Sequence, residues 1–484
     1  MGPVSRSSIA LWVALAALGL SRLAIALHGY PAHSTMSRNL EYGFGSLEAR
    51  RQGVSLYDVL AERALEKRRQ DPDRDPELRD PAEGTAEYPP LAVSWMTLPV
   101  RLLGLSGQGF PRPARDAMLF IRVSRSLLAA ADLVAFGLLG VFVALQRKAP
   151  RRVWVVAVVS YAACGAFFSP LIYDRMDIVV GALLIAAAVL LVSRFHYVFS
   201  FALLALAINF KLVAILAAPV WLVGSLPCGV WQGVRQPIPA LLRRTAVLAA
   251  LTGALFLPYW IADGPRSLGF LQYHLERGVQ IESHPANAIL LLRPFGLSLK
   301  AQYSHGSINL VTPVAFACAV AFALAGAGCF LWAVLRLWQS AGRTAAGADA
   351  AVTVARRDLG LVVRYAVLLL VIGLCGSKVL SPQYLLWLLP LAPAVPWNGR
   401  GGLWFQVMFA AACGLTMLIY PVLYDQISPI VGLPGGMRGM GLPSAAGTLA
   451  ITARNATLIG LAALLWRNTA EAATTSRPAT ARGW

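Results

Sequence analysis

Three ionisable residues crowd the stretch "SPLIYDRMDIVVGALLIAAAVLLVSR". Asp174, Arg175 and Asp177 stand between two membrane-grade apolar runs, where a plain turn needs only Gly, Ser or Asn. A charge facing lipid is costly, so all three are expected to face a cavity or one another. A carboxylate there can orient a hydroxyl or take its proton, and a guanidinium can hold a phosphate, which makes Asp177 a candidate for proton transfer and Asp174 and Arg175 candidates for ligand binding. The simpler alternative is an Arg–Asp pair capping the helix that starts near Met176, because carboxylates suit a helix N-terminus. Lysine is scarce, only five of the 42 basic residues, so Lys211 inside an apolar run and Lys378 ahead of "VLSPQYLLWLLPL" stand out. Either they snorkel to the headgroups or they bind an anion. Arg277 and Glu282 in "YHLERGVQIES" form a local salt bridge or join the same site. Glu41 and Asp58, each beside a tyrosine, are further candidate bases.

The elements that must position these residues are membrane helices. A chain of 484 residues with 57% hydrophobic and 13% charged residues lies outside the range of soluble domains. A net charge of +19 suggests nucleic acid only when the basic residues share one soluble domain; here many sit in short loops between apolar runs, so the charge reads as topology and no nucleic acid is expected. Five of the six cysteines (Cys164, Cys318, Cys329, Cys375, Cys413) lie inside apolar runs and Cys228 in a loop, which shows no disulfide framework. There is no Walker A sequence, no dinucleotide glycine motif, no zinc spacing and no nucleophile elbow, so neither a metal nor a cofactor is expected.

Apolar runs fall near 8–28, 118–146, 152–169, 176–194, 245–262, 309–338, 360–376, 379–396, 403–423 and 445–466. The run 197–224 reads as two short helices meeting at Asn209 and Lys211. With the N-terminus inside, the basic short loops all fall on the cytoplasmic side, provided that 87–105 does not cross and lies instead on the outer face. The expected fold is all-α with about twelve transmembrane helices. It forms one domain over 1–466, with a first outer loop at 29–117 containing membrane-surface helices, a second at 263–308, and a disordered cytoplasmic tail at 467–484.

Several stretches in order, "GVSLY" after an acidic residue and an aromatic, "EYPPLAVSWMTLP", "YDRMDIVVGALL", "FKLVAILAAPVW", "YHLERGVQIES", "SKVLSPQYLLWLLPL" and "LIYPVLYD", resemble the GT-C superfamily of polytopic glycosyltransferases. The nearest branch is the bacterial mannosyltransferase-like one that uses polyprenyl-phosphate sugars. The resemblance spans roughly residues 36–425. It implies a bacterial cytoplasmic-membrane enzyme whose site faces outside, with a polyprenyl-phosphate sugar as donor, a lipid or glycan hydroxyl as acceptor, membrane lipids around it, and inversion at the anomeric carbon. In that family a first-loop acid is the base; the counterpart here is Glu41 in "NLEYGF", ahead of Gly53 and Tyr57, while Asn39 stands nearer that position on another alignment. Asp177 is the second candidate base. Arg175, Asp174, Lys211, Arg277, Glu282, Lys378, Gln383 and Tyr88 are the expected substrate-binding residues. The competing expectation is a transporter or flippase in which the same cations bind a lipid-linked or anionic solute and no bond breaks.

Overall fold

A computed structural model describes residues 19–22, 24–25, 34–70, 86–104, 114–145, 151–169, 171–193, 196–226, 236–346, 359–395, 400–432 and 438–475. The chain is predominantly helical. Two helices, α1 (Ser34–Gln52) and α2 (Leu56–Gln70), precede α3 (Pro90–Leu102), whose first turn carries prolines that need no intrahelical N–H partner. At 13 residues α3 is about 20 Å long, short of the ~30 Å hydrocarbon layer. Then come α4 (Ala114–Leu145), α5 (Arg151–Phe167), α6 (Asp177–Val192), α7 (Tyr197–Phe210), α8 (Ala218–Gly224) and α9 (Pro237–Asp263). The remainder is α10 (Gly269–Glu276), α11 (His284–Leu291), α12 (Ala315–Ala346), α13 (Leu359–Gly376), α14 (Arg400–Met417), α15 (Tyr424–Ile427) and α16 (Ala445–Thr475).

Five helical stretches are long and apolar enough to cross a membrane: Arg115–Leu145, Pro237–Glu276, Ala315–Gly342, Gly401–Val422 and Ala445–Arg467. Five shorter apolar helices accompany them: Val153–Phe167, Asp177–Val192, Tyr197–Phe210, Leu212–Gly224 and Gly360–Gly376. The helix α6 is apolar all round and buries 12 of its residues, so it forms the centre of the bundle. By contrast α9 and α12 leave Leu242, Trp260, Ile261, Phe316, Leu324 and Leu331 exposed, the outward faces of a membrane-embedded bundle. At the crossing of α12 and α13, a Cβ added to Gly326 would sit 2.9 Å from Gly376 Cα, so the small residues are what let these backbones touch.

The expected break at Lys211 is present. The backbone of Lys211 is extended, ending α7, and a 3-10 turn over Leu212–Ala217 leads into α8. The expected helix over 379–396 is not one. It folds as 3-10 turns at Pro382–Trp387 and Ala392–Ala394, because Pro382, Pro390 and Pro393 lack the donor an α-helix needs. Such irregular backbone is tolerated in a bundle only where protein covers it, and every residue from 379 to 395 except Tyr384 is buried. A Cβ on Gly181 of α6 would lie 2.7 Å from the Leu386 carbonyl oxygen, so the turn is pressed directly against the central helix.

The fold also departs from all-α through a five-stranded antiparallel sheet, in the order β1 (Val279–Gln280), β3 (Ser307–Val311), β2 (Lys300–Ser304), β5 (Arg438–Met440), β4 (Ile430–Gly432). Its strands have two to five residues, too few for alternation to register in the sequence. His305 and Gly306 both take positive φ at the tight β2–β3 turn. A separate small core of Val279, Ile281, Ile308, Leu310, Ile419, Ile427 and Ile451 fixes the sheet to the bundle. Helix α16 runs on to Thr475, so the expected disordered tail begins as helix; the rest of it, like most of the expected first span at 8–28, lies outside the described residues.

Candidate functional site

Six segments far apart in the sequence converge on a cavity of about 700 Å³. Glu87 enters it from the start of α3, Arg175 from the turn before α6, and Arg277, Gln280 and Glu282 from the strand after α10. The β2–β3 hairpin adds Tyr303 and Ser307, the 3-10 segment adds Ser381 and Gln383, and the chain after α14 adds Tyr420, Tyr424 and Asp425. A second cavity of about 20 Å³ adjoins it, bounded by Glu87, Tyr88, Lys211, His274, Gln383 and Tyr384.

The carboxylates expected at the site are mostly engaged already. Asp174 accepts from Arg125 Nε at 2.8 Å. Asp177 accepts from Lys211 Nζ at 2.7 Å and from Trp387 Nε1 at 2.6 Å, both on Oδ1. It stands in the first turn of α6, yet no side-chain capping bond forms there, so its role is pairing and not capping. Glu282 is held by Arg454, whose Nη1 lies 3.4 Å from Oε2 and whose Nη2 also donates to the Glu282 carbonyl. Burial pushes the Glu282 carboxyl above the usual range, against the opposing pull of Arg454.

The arginines are different. Arg175 has a buried Nε without a partner, and neither Arg175 nor Arg277 forms an ion pair among the described residues. Arg277 is 4% exposed and donates through Nε to Ser307 Oγ at 3.1 Å, which leaves the rest of its fork for a ligand. Two guanidinium groups that form no salt bridge among the described residues share the cavity with Glu87, and phosphate fits their donor geometry.

Lys211 stands in an aromatic enclosure, 5.0 Å from the Tyr384 ring centre, 5.2 Å from Trp387 and 5.8 Å from Tyr88. Tyr384 stacks on Trp387 at 4.3 Å, and Tyr88 meets Tyr42 edge-on. Lys378 does not line either cavity. Its Nζ donates to the Leu275 carbonyl at 2.9 Å, its own carbonyl accepts from Gln280 N, and burial together with nearby Arg277 lowers its ammonium below the usual lysine range. Gln280 Oε1 in turn accepts from Leu380 N at 3.0 Å, so β1 is pinned to the 3-10 segment and with it Gln383 to the cavity.

Glu41 is not brought to this site. Its Oε1 pairs with Lys67 at 3.1 Å at the protein surface, and Arg63 bonds its carbonyl. Asn39 is buried in the same helix, and Asp58 pairs with Arg266 at the surface. The residues that the sequence did not single out are Glu87, Ser307, Tyr420, Tyr424 and Asp425. Glu87 had a signal, since it directly precedes the Tyr88-Pro89-Pro90 corner. Among the described residues no three of His, Cys, Asp or Glu gather as a metal site. No protein-family model matches the chain, and no curated protein matches it.

Proposed function

We propose that this protein is a membrane glycosyltransferase that moves a sugar, mannose in the first instance, from a polyprenyl-phosphate donor to an acceptor hydroxyl on a lipid or glycan, with inversion. It has about twelve spans, both termini in the cytoplasm, and the cavity open to the outside of a bacterial cytoplasmic membrane. The observation that carries the reading is the pair Arg175 and Arg277 on one large cavity, neither in a salt bridge among the described residues. A sugar phosphodiester brings one negative charge to that pair, and the departing polyprenyl phosphate carries close to two. The two guanidinium groups therefore interact more strongly with the leaving group than with the bound donor, which is the difference that lowers a barrier. Lys211, paired behind the wall with Asp177, lines the adjoining cavity with Tyr88 and Gln383, and Tyr303, Tyr420 and Tyr424 offer apolar faces to a sugar ring. The acceptor oxygen attacks the anomeric carbon, the bond to phosphate breaks, and a carboxylate on the cavity wall takes the acceptor proton.

Purified protein given a radiolabelled polyprenyl-phosphate mannose and a panel of mannoside and lipid acceptors tests this. Acceptor-dependent transfer of label is the expected result. Movement of the labelled lipid across a vesicle membrane without release of label would replace the transferase with a flippase.

A further inference from the structure

Burial changes abruptly at the end of α11. Every residue from 281 to 290 except Ala288 is buried, whereas all six from Leu291 to Gly296 are exposed. Leu291 and Leu292 are each 50% exposed and Phe295 is 83% exposed, so three large apolar side chains stand out from the 3-10 turn Arg293–Phe295 and the residues before it. Gly296, at a φ of 87°, reverses the chain, and Leu297 and Leu299 pack back against the small core under the sheet. Neither the five long apolar stretches nor the five shorter apolar helices include this segment, so hydropathy leaves it in a loop.

Two features identify what covers the patch. It is continuous with the outward faces of two spans. On one flank the chain passes from the turn to Lys300, which pairs with Val311 across the β2–β3 ladder. Val311 and Val314 are exposed, and Phe316, Val320 and Leu324 continue as an exposed stripe at helical spacing along α12. On the other flank Arg293 Nη1 donates to the Pro443 carbonyl at 3.2 Å, two residues before α16, and Asn287 Nδ2 donates to Thr452 Oγ1 at 2.8 Å within it. Leu449 of α16 is itself 70% exposed. The second feature is charge. No acidic residue occurs between Glu282 and the end of α12, while Arg293 and Lys300, both exposed, border the apolar side chains. Acyl chains under the patch and phosphates beside it satisfy both groups, whereas a second copy of the chain would set the same cations against themselves.

We infer that Leu291, Leu292 and Phe295 form a wedge inserted into the acyl boundary of the bilayer, with Arg293 and Lys300 at the level of the lipid phosphates. The wedge sets the depth of the large cavity. Ile289 and Leu290, directly before it, share one core with Ile281 and Ile308, and Gln280, Glu282, Ser307 and Ile308 line the cavity. One cavity wall is thus carried on an element seated in the membrane, and an amphiphile reaches it with its tail still in lipid.

Wild-type protein in nanodiscs of a phosphatidylcholine that bears a photoactivated diazirine high on its acyl chain tests the wedge. After irradiation and digestion, mass spectrometry should find adducts on Leu291–Phe295 at a yield nearer that of Phe316–Leu331 in α12 than that of the charged helix α2. A yield nearer that of α2 overturns the proposal. The double variant Leu292→Asp with Phe295→Asp should lose the adducts on the turn and keep those on α12; undiminished adducts on the turn also overturn it. An unlabelled turn within a dimer that the double variant dissociates would give the patch to a second copy of the chain instead. Should the variant not assemble, the wild-type yields decide alone. Neither readout involves sugar transfer, so the result stands apart from the transferase reading.

Discussion

Lys211 Nζ lies 2.7 Å from Asp177 Oδ1, and it joins the point where α7 ends to the first turn of the central helix α6. The pair is almost wholly shielded from solvent, Asp177 at 1% and the Lys211 side chain at 16% exposure. Removing one partner of such a pair leaves an uncompensated buried charge, at a cost of about 3–5 kcal/mol. Asp177→Asn is therefore expected to lower the unfolding temperature in detergent strongly. The double variant Asp177→Leu with Lys211→Met should recover most of the loss. A single variant as stable as wild type would mean that Asp177 does no more than occupy a helix start.

Arg175→Gln and Arg277→Gln each remove one charged donor from the cavity. A hydrogen bond to a charged group contributes about 1.5–3 kcal/mol, so each change should weaken binding of a short-chain polyprenyl phosphate by roughly 10- to 100-fold. Calorimetry in detergent reads this directly, and Arg266→Gln, whose partner is exposed Asp58, serves as the unaffected control. Affinity unchanged in both cavity variants would remove the anion site.

Glu41→Gln breaks only a surface pair with Lys67. Exposed pairs contribute about 0–1 kcal/mol, so this variant should keep both its stability and its turnover. A severe loss of turnover with stability intact would return the first-loop acid to the reaction and displace the cavity described above.

Gly181→Ala tests the contact between α6 and the 3-10 segment. A Cβ there meets the Leu386 carbonyl oxygen and the Pro390 ring, neither of which can yield as a flexible side-chain tip does. Overpacking of this kind typically costs about 1–3 kcal/mol, and the melting temperature should fall accordingly. Gly328→Ala, where a Cβ finds nothing within 4 Å, should be neutral.

Acid should weaken the protein through His284. Burial first, and Arg454 second, hold its imidazolium down to about 4. In the unfolded chain the ring takes its proton near pH 6.5. The folded state therefore loses relative stability as pH falls through that window, by on the order of 3 kcal/mol for this one group. Melting curves recorded from neutral pH downward should show a smaller acid loss for His284→Gln than for wild type.

How much of this was legible beforehand depended on length scale. The break at Lys211 and the shortness of α3 follow from single residues that interrupt apolar runs, and the structure has both. The segment 379–396 reads as a span by hydropathy alone, because its four prolines are apolar too; their effect is on the backbone, which a hydropathy sum does not see. The strands escaped because two to five residues hold too little pattern. Arg175, Arg277, Glu282 and Gln383 were visible as charges or amides at membrane edges, and they do meet. A carboxylate stands beside a tyrosine at Glu41 and at Glu87 alike, and only the three-dimensional path of the first loop puts Glu87 and not Glu41 at the cavity.

The sheet joins residues 279–311 to residues 430–440, and Glu282 finds Arg454 later still along the chain. During synthesis, therefore, most of the apolar helices are made while one wall of the cavity is still on the ribosome. Pairing across so long a separation is slow to form, since the intervening chain must first be ordered. The binding chamber is consequently a late product of biogenesis: a chain stopped before β4 would insert and remain in the membrane, yet hold an unlidded hairpin and an unneutralised Glu282, the exposed features by which quality-control proteases distinguish an unfinished protein from a finished one.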